Sequence, residues 1–230
     1  MPKRPKYVTP EWSSDLAYAI GLITTDGSLS KDRRHIIFTS TDIALIKTLL
    51  HCLNKTNKII NNPIGVLNKK QAYRVQISDV TLYRWLENIG LFANKSLSLS
   101  SLKIPMEFFP DFLRGHLDGD GSIVHYIDRY NTKVKATYIY TRLFVYLMSG
   151  SEKHILWLRE QVREIIGTKG SLSKRVSKSQ KGIHACWVLK FSTKQAKILL
   201  NWIYYKEALP CLERKFMVAK PFLGKCFSAA

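Results

Sequence analysis

Apolar residues recur along this chain in two rhythms, one with the period of a helix and one with the period of a strand. In DIALIKTLLHCLNK, Ile43, Ile46, Leu49, Leu50 and Leu53 fall at helical spacing, and Asp42 is placed to cap the first turn. AYRVQIS alternates Tyr73, Val75 and Ile77 against Arg74 and Gln76, which predicts a half-buried strand. RRHIIFTST and ACWVLKFS are also β-prone, and SEKHILWLREQVREIIG is amphipathic at helical period. DVTLYRWLENIGL and TKQAKILLNWIYYKEAL predict helices in which a Trp is followed by an aliphatic residue. A long β-prone run, YIDRYNTKVKATYIYTRLFVYLMS, is expected to supply strands that carry Lys133 and Lys135 in their outward register. Two further helices, within LAYAIGLITTDGSLS and FLRGHLDGDGSIV, end on an acidic residue followed by glycine.

Those two stretches align on each other. Gly21 falls on Gly115, Asp26 on Asp120 and Gly27 on Gly121, and the elements that follow correspond in order: helix, strands, helix, strands, helix. The chain therefore reads as two related halves, 1–106 and 107–230, joined by SLKIPMEFFPDF. That joint is short and contains Pro105 and Pro110, so the halves should abut. A glycine inside an apolar helix costs about 1 kcal/mol relative to alanine, a cost that close approach of two backbones can offset. If the two motif helices pack side by side at Gly21 and Gly115, Asp26 and Asp120 converge at their C-terminal ends. Carboxylates there repel each other and the negative ends of both helices, so they call for a compensating cation. Oxygen ligands of this kind select Mg²⁺ or a similar hard divalent ion.

Charge sharpens the picture. The 230 residues include 36 Lys and Arg against 17 Asp and Glu, a net charge of +19 that points to a polyanionic partner. Hydrophobic residues make up 46% of the chain, enough for a real core. The four cysteines lie far apart with no metal-like spacing, as expected of thiols in a reducing compartment. The basic N-terminus lacks the apolar stretch of a secretory signal, and no run is long enough to span a membrane; an intracellular protein is expected.

With both motifs in hand, AIGLITTDG and LRGHLDGDG, the chain resembles the LAGLIDADG homing endonucleases in their single-chain, two-repeat form, from about Leu16 to about Lys215. The resemblance implies an α+β fold: two pseudo-symmetric αββαββα repeats, a central pair of motif helices, and saddle-shaped antiparallel sheets that straddle double-stranded DNA. It implies a monomer that hydrolyses phosphodiesters with Mg²⁺ or Mn²⁺ (Ca²⁺ binding without supporting cleavage) at a long asymmetric target. By the same resemblance Asp26 and Asp120 are metal ligands, and Lys95 and Lys215, with Arg214 as competitor for the second, are basic residues approaching the centre. The first motif has Thr24 where the second has Asp118, so Asp118 reads as structural. His116 faces Leu22 in the alignment and reads as packed or exposed, not as a ligand.

Two acid-free stretches frame the expected DNA contacts: nine Lys or Arg between Ile165 and Lys206, and six between Ile43 and Ser78. In or beside the predicted strands and turns lie Arg33, Arg34, Lys69, Lys70, Arg74, Gln76, Arg129, Lys133, Lys135, Arg142, Lys174, Arg175, Lys178 and Lys181, with Asn61, Asn62, Asn68 and Gln71 adding amides. A two-stranded ribbon fits the major groove. Two rival readings remain at this stage. One is an RNA-binding maturase or DNA-binding regulator on the same fold without cleavage. The other is a basic membrane-surface or scaffold protein, which leaves the doubled acidic motif unexplained.

Overall fold

The computed structural model describes residues 10–62, 71–133, 135–179 and 182–224. Its centre is a pair of helices, α1 (Ser14–Thr25) and α4 (Phe109–Asp120). Ser13 caps α1 by accepting from the Leu16 N–H at 3.1 Å, and Pro110 occupies the first turn of α4, where its missing N–H costs nothing. Residues Leu16 to Thr24 and Phe109 to Asp118 are all buried, as expected of helices enclosed on every side. Contact between them is backbone to backbone. A Cβ added to Gly21 would lie 2.2 Å from the Phe112 carbonyl oxygen, and one added to Gly115 would lie 2.1 Å from that of Tyr18.

Around this pair the order helix, two strands, helix, two strands, helix appears twice. The first half continues through β1 (Gly27–Leu29), β2 (His35–Ser40), α2 (Ile43–Cys52), β3 (Ile60–Asn62), β4 (Ala72–Ser78) and α3 (Val80–Asn88). The second continues through β5 (Ser122–Asp128), β6 (Tyr140–Ser149), α5 (Glu152–Ile166), β7 (Ser171–Ser179), β8 (Gly182–Ser192) and α6 (Thr193–Ile203). Each half builds one four-stranded antiparallel sheet, ordered β1-β2-β4-β3 and β5-β6-β8-β7, so the strand order is the same in both. Asp42 and Asp79 cap α2 and α3 through their carboxylates, and Gly167 ends α5 in the left-handed region at φ 69°.

Strand alternation sorts each sheet into two faces. Ile36, Phe38, Val75 and Ile77 in the first, and Leu143, Val145, Leu147, Leu189 and Phe191 in the second, are buried under α2–α3 and α5–α6 respectively. One contiguous core joins the halves through α1 and α4. Arg114, wholly buried, ties α4 to the chain after α6: it pairs with Asp111 at 2.6 Å and donates to the carbonyls of Ile203 and Pro210 at 2.6 and 2.9 Å. Among the described residues, no helix is long and apolar enough to cross a membrane.

The expected strand over Tyr126–Ser149 is interrupted. Asp128 accepts from the Tyr130 N–H at 3.0 Å and from Arg142 at 2.9 Å, which closes β5; a 3-10 turn, Tyr130–Lys133, follows. Lys133 and Lys135 are therefore exposed residues of a connection, not members of an outward strand register. A seventh helix, α7 (Glu213–Ala219), follows the second repeat where the sequence had suggested only a basic position.

Candidate active site and nucleic-acid interface

The two motif helices end side by side, and their last acidic residues share one small region. Asp26 caps α1, its N–H bonded to the Leu22 carbonyl at 3.0 Å; Asp120 is the last residue of α4. Gly119 makes room for the pair: a Cβ there would meet Thr25 Oγ1 at 1.9 Å and an Asp26 carboxylate oxygen at 3.2 Å. Asp26 is half-buried and Asp120 reaches solvent, yet the surrounding protein raises both carboxyls. Burial followed by the neighbouring Asp120 pushes Asp26 up to about 6, against the pull of Lys215 and Lys95. Burial raises Asp120, again against Lys215 and Lys95.

Both lysines are buried. Lys95 lies in a 3-10 turn after α3, reached through Asn94 at φ 61°, and donates to the Gly27 carbonyl immediately after Asp26. Lys215, on α7, donates all three ammonium protons to the end of α4: to Leu117 O at 2.7 Å, Asp118 O at 2.8 Å and Gly121 O at 2.7 Å. Lys215 thus neutralises the carbonyl end of α4, while Lys95 holds the first carbonyl of β1, just past the end of α1. Burial lowers each lysine to about 8, while Asp120 and Asp26 hold Lys95 up, and Asp118, Asp26 and Asp120 hold Lys215 up. Arg214, the rival to Lys215, is exposed and points instead toward Asp42 at 3.5 Å.

Asp118, one turn from these ends, has a different environment. It is buried and accepts on a single oxygen from the Tyr18 hydroxyl at 2.8 Å and the Leu212 N–H at 2.7 Å. Burial raises its carboxyl in spite of these bonds. Thr24, its counterpart, folds back onto the Ile20 carbonyl at 2.7 Å. His116 is buried and stacks on His154 with ring centroids 5.4 Å apart. Burial drives both imidazoles down, His154 to about 4, and His154 Nδ1 lies 2.8 Å from the Ser100 carbonyl. With Thr24, Thr25, Lys95 and Asp120 they line a cavity of about 90 Å³. His154 carried no signal in the sequence, since the matching place in α2, three residues after its cap, is Leu45.

Two carboxylates suit a hard divalent ion, which commonly takes one or two carboxylates and keeps its other positions for water and substrate phosphate. Asp26 and Asp120, raised by burial and given room by Gly119, could supply such a donor set. No cluster of three or more His, Cys, Asp or Glu able to hold a metal occurs among the described residues, so further ligands would come from outside these side chains.

The basic residues distribute unevenly. Arg33 sits in the β1–β2 turn at φ 60° and pairs with Glu87 at 2.7 Å, while Arg34 beside it is exposed. Arg74 and Gln76 lie on the open face of the first sheet, opposite Thr39 and Ile37. Arg129 is exposed just after β5, and Arg142 on β6 pairs with Asp128. Arg175 shares the open face of the second sheet with Tyr146, whereas Lys174, one residue earlier, projects on the other side over Trp187. Lys178 belongs to β7 but its side chain, like Lys69, Lys70, Asn68 and Lys181 entirely, lies outside the described residues. The sequence reading missed Lys190, Tyr126, Phe144 and Tyr146 on that open face; carrying the alternation of ACWVLKFS onto its neighbour strand would have found them.

Residues 13–90 match the model of the LAGLIDADG-like domain. The chain is similar to the I-LtrWI LAGLIDADG homing endonuclease bound to target DNA, with TM-score 0.54 and 14% identity over 91% of this chain and 89% of that one. It is similar to the I-AabMI meganuclease bound to uncleaved DNA, with TM-score 0.54 and 15% identity over 91% and 88%. It also matches full-length DUF199/WhiA from Thermatoga maritima, with TM-score 0.50 and 17% identity, covering 92% of this chain but only 62% of that one. A stretch of 123 residues, 53% of this chain, is 27% identical to a much longer A-type ATP synthase polypeptide of Methanopyrus kandleri, of which it spans 11%. Residues 13–90 thus match a LAGLIDADG-like domain, and the chain as a whole shares the fold of the LAGLIDADG homing endonucleases.

Proposed function

We propose that this chain is a monomeric, sequence-specific, double-strand DNA endonuclease of the homing type, dependent on a divalent metal and acting on a long asymmetric target. The observation that carries this reading is the meeting of Asp26 and Asp120 at the ends of two packed helices, set between two sheets with open faces. Asp26 and Asp120 would hold Mg²⁺ or Mn²⁺, which when bound activates water and offsets charge on the phosphate. The chain's own groups do the rest. Lys95 fixes the Gly27 carbonyl next to Asp26 and Lys215 fixes the carbonyl end of α4, so that each holds its aspartate in place, while their positive charge offsets that of the approaching phosphate. Residues 1–106 and 107–230 each engage one half of the target.

The test is a duplex selected from a randomised pool, incubated with Mg²⁺ and followed on both strands. Cleavage by the native chain, lost in Asp26→Asn and in Asp120→Asn while duplex binding persists, is the expected result. A second reading, a DNA-binding regulator or an RNA-binding maturase on the same fold, draws on the fold shared with DUF199/WhiA. Tight duplex binding with no cleavage in any divalent metal would favour the regulator, and preferential binding of structured RNA the maturase.

A further inference from the structure

The open faces of the two sheets are chemically unlike. On the first, strand register places Ser28, His35, Ile37, Thr39, Arg74 and Gln76 together, with Ile60 and Asn62 at the edge and, among the described residues, no Phe, Tyr or Trp. On the second, Val124 pairs with Phe144, Tyr126 with Arg142, and Tyr146 with Lys190, so an apolar and aromatic row crosses the sheet. Val124 and Tyr126 are 39% and 48% exposed, although no apolar neighbour requires them to face water. The rings are contiguous: centroids of Tyr126 and Phe144 are 6.2 Å apart, and those of Phe144 and Tyr146 are 6.1 Å apart. Cations flank the row, with the Lys190 ammonium 4.1 Å from the centre of Phe144 and Arg175 6.0 Å from that of Tyr146.

We infer that this aromatic row reads thymine methyl groups in the major groove, so that the half of the target facing the second sheet is specified by thymines while the half facing the first is specified by polar contacts. The inference rests on the endonuclease reading above and adds the base chemistry of one half-site. Thymine is the base whose major-groove edge carries an apolar group, and aliphatic or aromatic side chains are its natural partners. Arg142, Lys190 and Arg175 supply the charge to draw phosphates alongside, and Asp128, the one acid on this face among the described residues, is already paired with Arg142. The geometry disfavours stacking on unpaired bases. Lys190 occupies the face of Phe144, and the planes of the three rings are tilted by 38° and 41° from one to the next, so no flat platform is presented.

The experiment uses the full chain and duplexes selected from a random pool. Gln76→Ala first identifies which positions face the first sheet, as those where its preference changes. Deoxyuridine is then substituted for each thymidine in turn, which removes only the 5-methyl group. Affinity should fall about three- to fourfold for each methyl read in the half facing the second sheet. The same replacement in the other half should leave affinity unchanged, and Tyr126→Ser, an exposed position, should erase the penalty at one or more thymines. Specific duplex binding that ignores deoxyuridine, or suffers equally in both halves, overturns the inference and leaves the endonuclease reading standing. An RNA stem-loop that outcompetes the best duplex overturns it too, since uridine has no such methyl. Failure to select any duplex sinks both.

Discussion

Asp118 and Asp120 stand two residues apart on α4 and differ in what their oxygens touch. Both bonds to Asp118 arrive on one oxygen, from Tyr18 and Leu212, while its other oxygen is buried without a partner. Asparagine can present its amide oxygen to both donors and carries no charge to bury. Asp118→Asn should therefore fold with a midpoint within about 1 kcal/mol of the native chain and keep cleavage, whereas Asp120→Asn should lose cleavage without losing stability. Urea titration alongside a duplex cleavage assay separates them; equal loss of cleavage in both would remove the distinction between a structural and a chemical aspartate. His154 supports a second prediction at this scale. It is held neutral at about 4 when folded, against an ordinary 6.5, so the unfolded chain takes up its proton first as the pH falls. The stability it contributes is fully present above 6.5 and is lost as pH drops toward 4, at about 1.4 kcal/mol per pH unit in that window. Asp26, raised to about 6, acts in the opposite sense below that pH, and His116 and Lys95 also face this region. The diagnostic quantity is thus the difference between His154→Gln, which retains a donor for Ser100, and the native chain. If their stabilities run parallel from pH 7 to 4.5, His154 is not held neutral.

At the level of elements, a lysine from outside each motif helix secures the chain at or just past its C-terminal end. Lys95 gives one bond beside α1, and Lys215 gives three at the end of α4. Replacing Lys215 with Met removes three hydrogen bonds to buried carbonyls, of which Leu117 O keeps the Gly121 N–H, at roughly 1 kcal/mol or more for each carbonyl left without a donor, and replacing Lys95 removes one. The denaturant midpoint should accordingly fall much further for Lys215→Met than for Lys95→Met; the reverse order would mean that these bonds do not hold the helix ends. The helices themselves were legible in the sequence. Glycine at two matched positions of an apolar helix has few uses besides close approach, and Gly21 and Gly115 do face one another's backbones. The caps at Asp42 and the alternation in AYRVQIS were equally readable, because they depend on residues a few places apart. What escaped depends on distant partners. The β-propensity of the run after Asp128 gave no sign that Asp128 would bond Tyr130 and Arg142 and end the strand early. Neither α7 nor the stacking of His154 on His116 has a local signature. The matched places of Lys95 and Lys215 were visible, but not the carbonyls they would seek.

Across the whole molecule, a +19 chain with two unlike sheets should bind unlike half-sites, and its affinity should fall steeply with salt. Each phosphate contact removed should flatten the slope of log affinity against log salt by about 0.9, so Arg175→Ala and Lys190→Ala should each lower it, measurable by fluorescence anisotropy across a salt series. The same asymmetry extends to catalysis. The two aspartates are coupled, since Asp120 helps raise Asp26, and both lysines act on both carboxyls. Removing either aspartate should therefore impair both cuts. The lysines differ in that their hydrogen bonds stay at home: Lys95 holds the chain beside Asp26, and Lys215 holds the helix that ends at Asp120. On the proposed reading, each lysine would then steady the half that meets one scissile phosphate. Lys95→Met, which removes a single hydrogen bond and so should remain folded, is expected to slow cleavage of one strand at least tenfold more than the other, so that nicked product accumulates. A linear target labelled at both ends, sampled over time in Mg²⁺, reports the two strands separately. Equal slowing of both strands would show that the lysines serve a shared centre, and the assignment of one half to one strand would have to be abandoned.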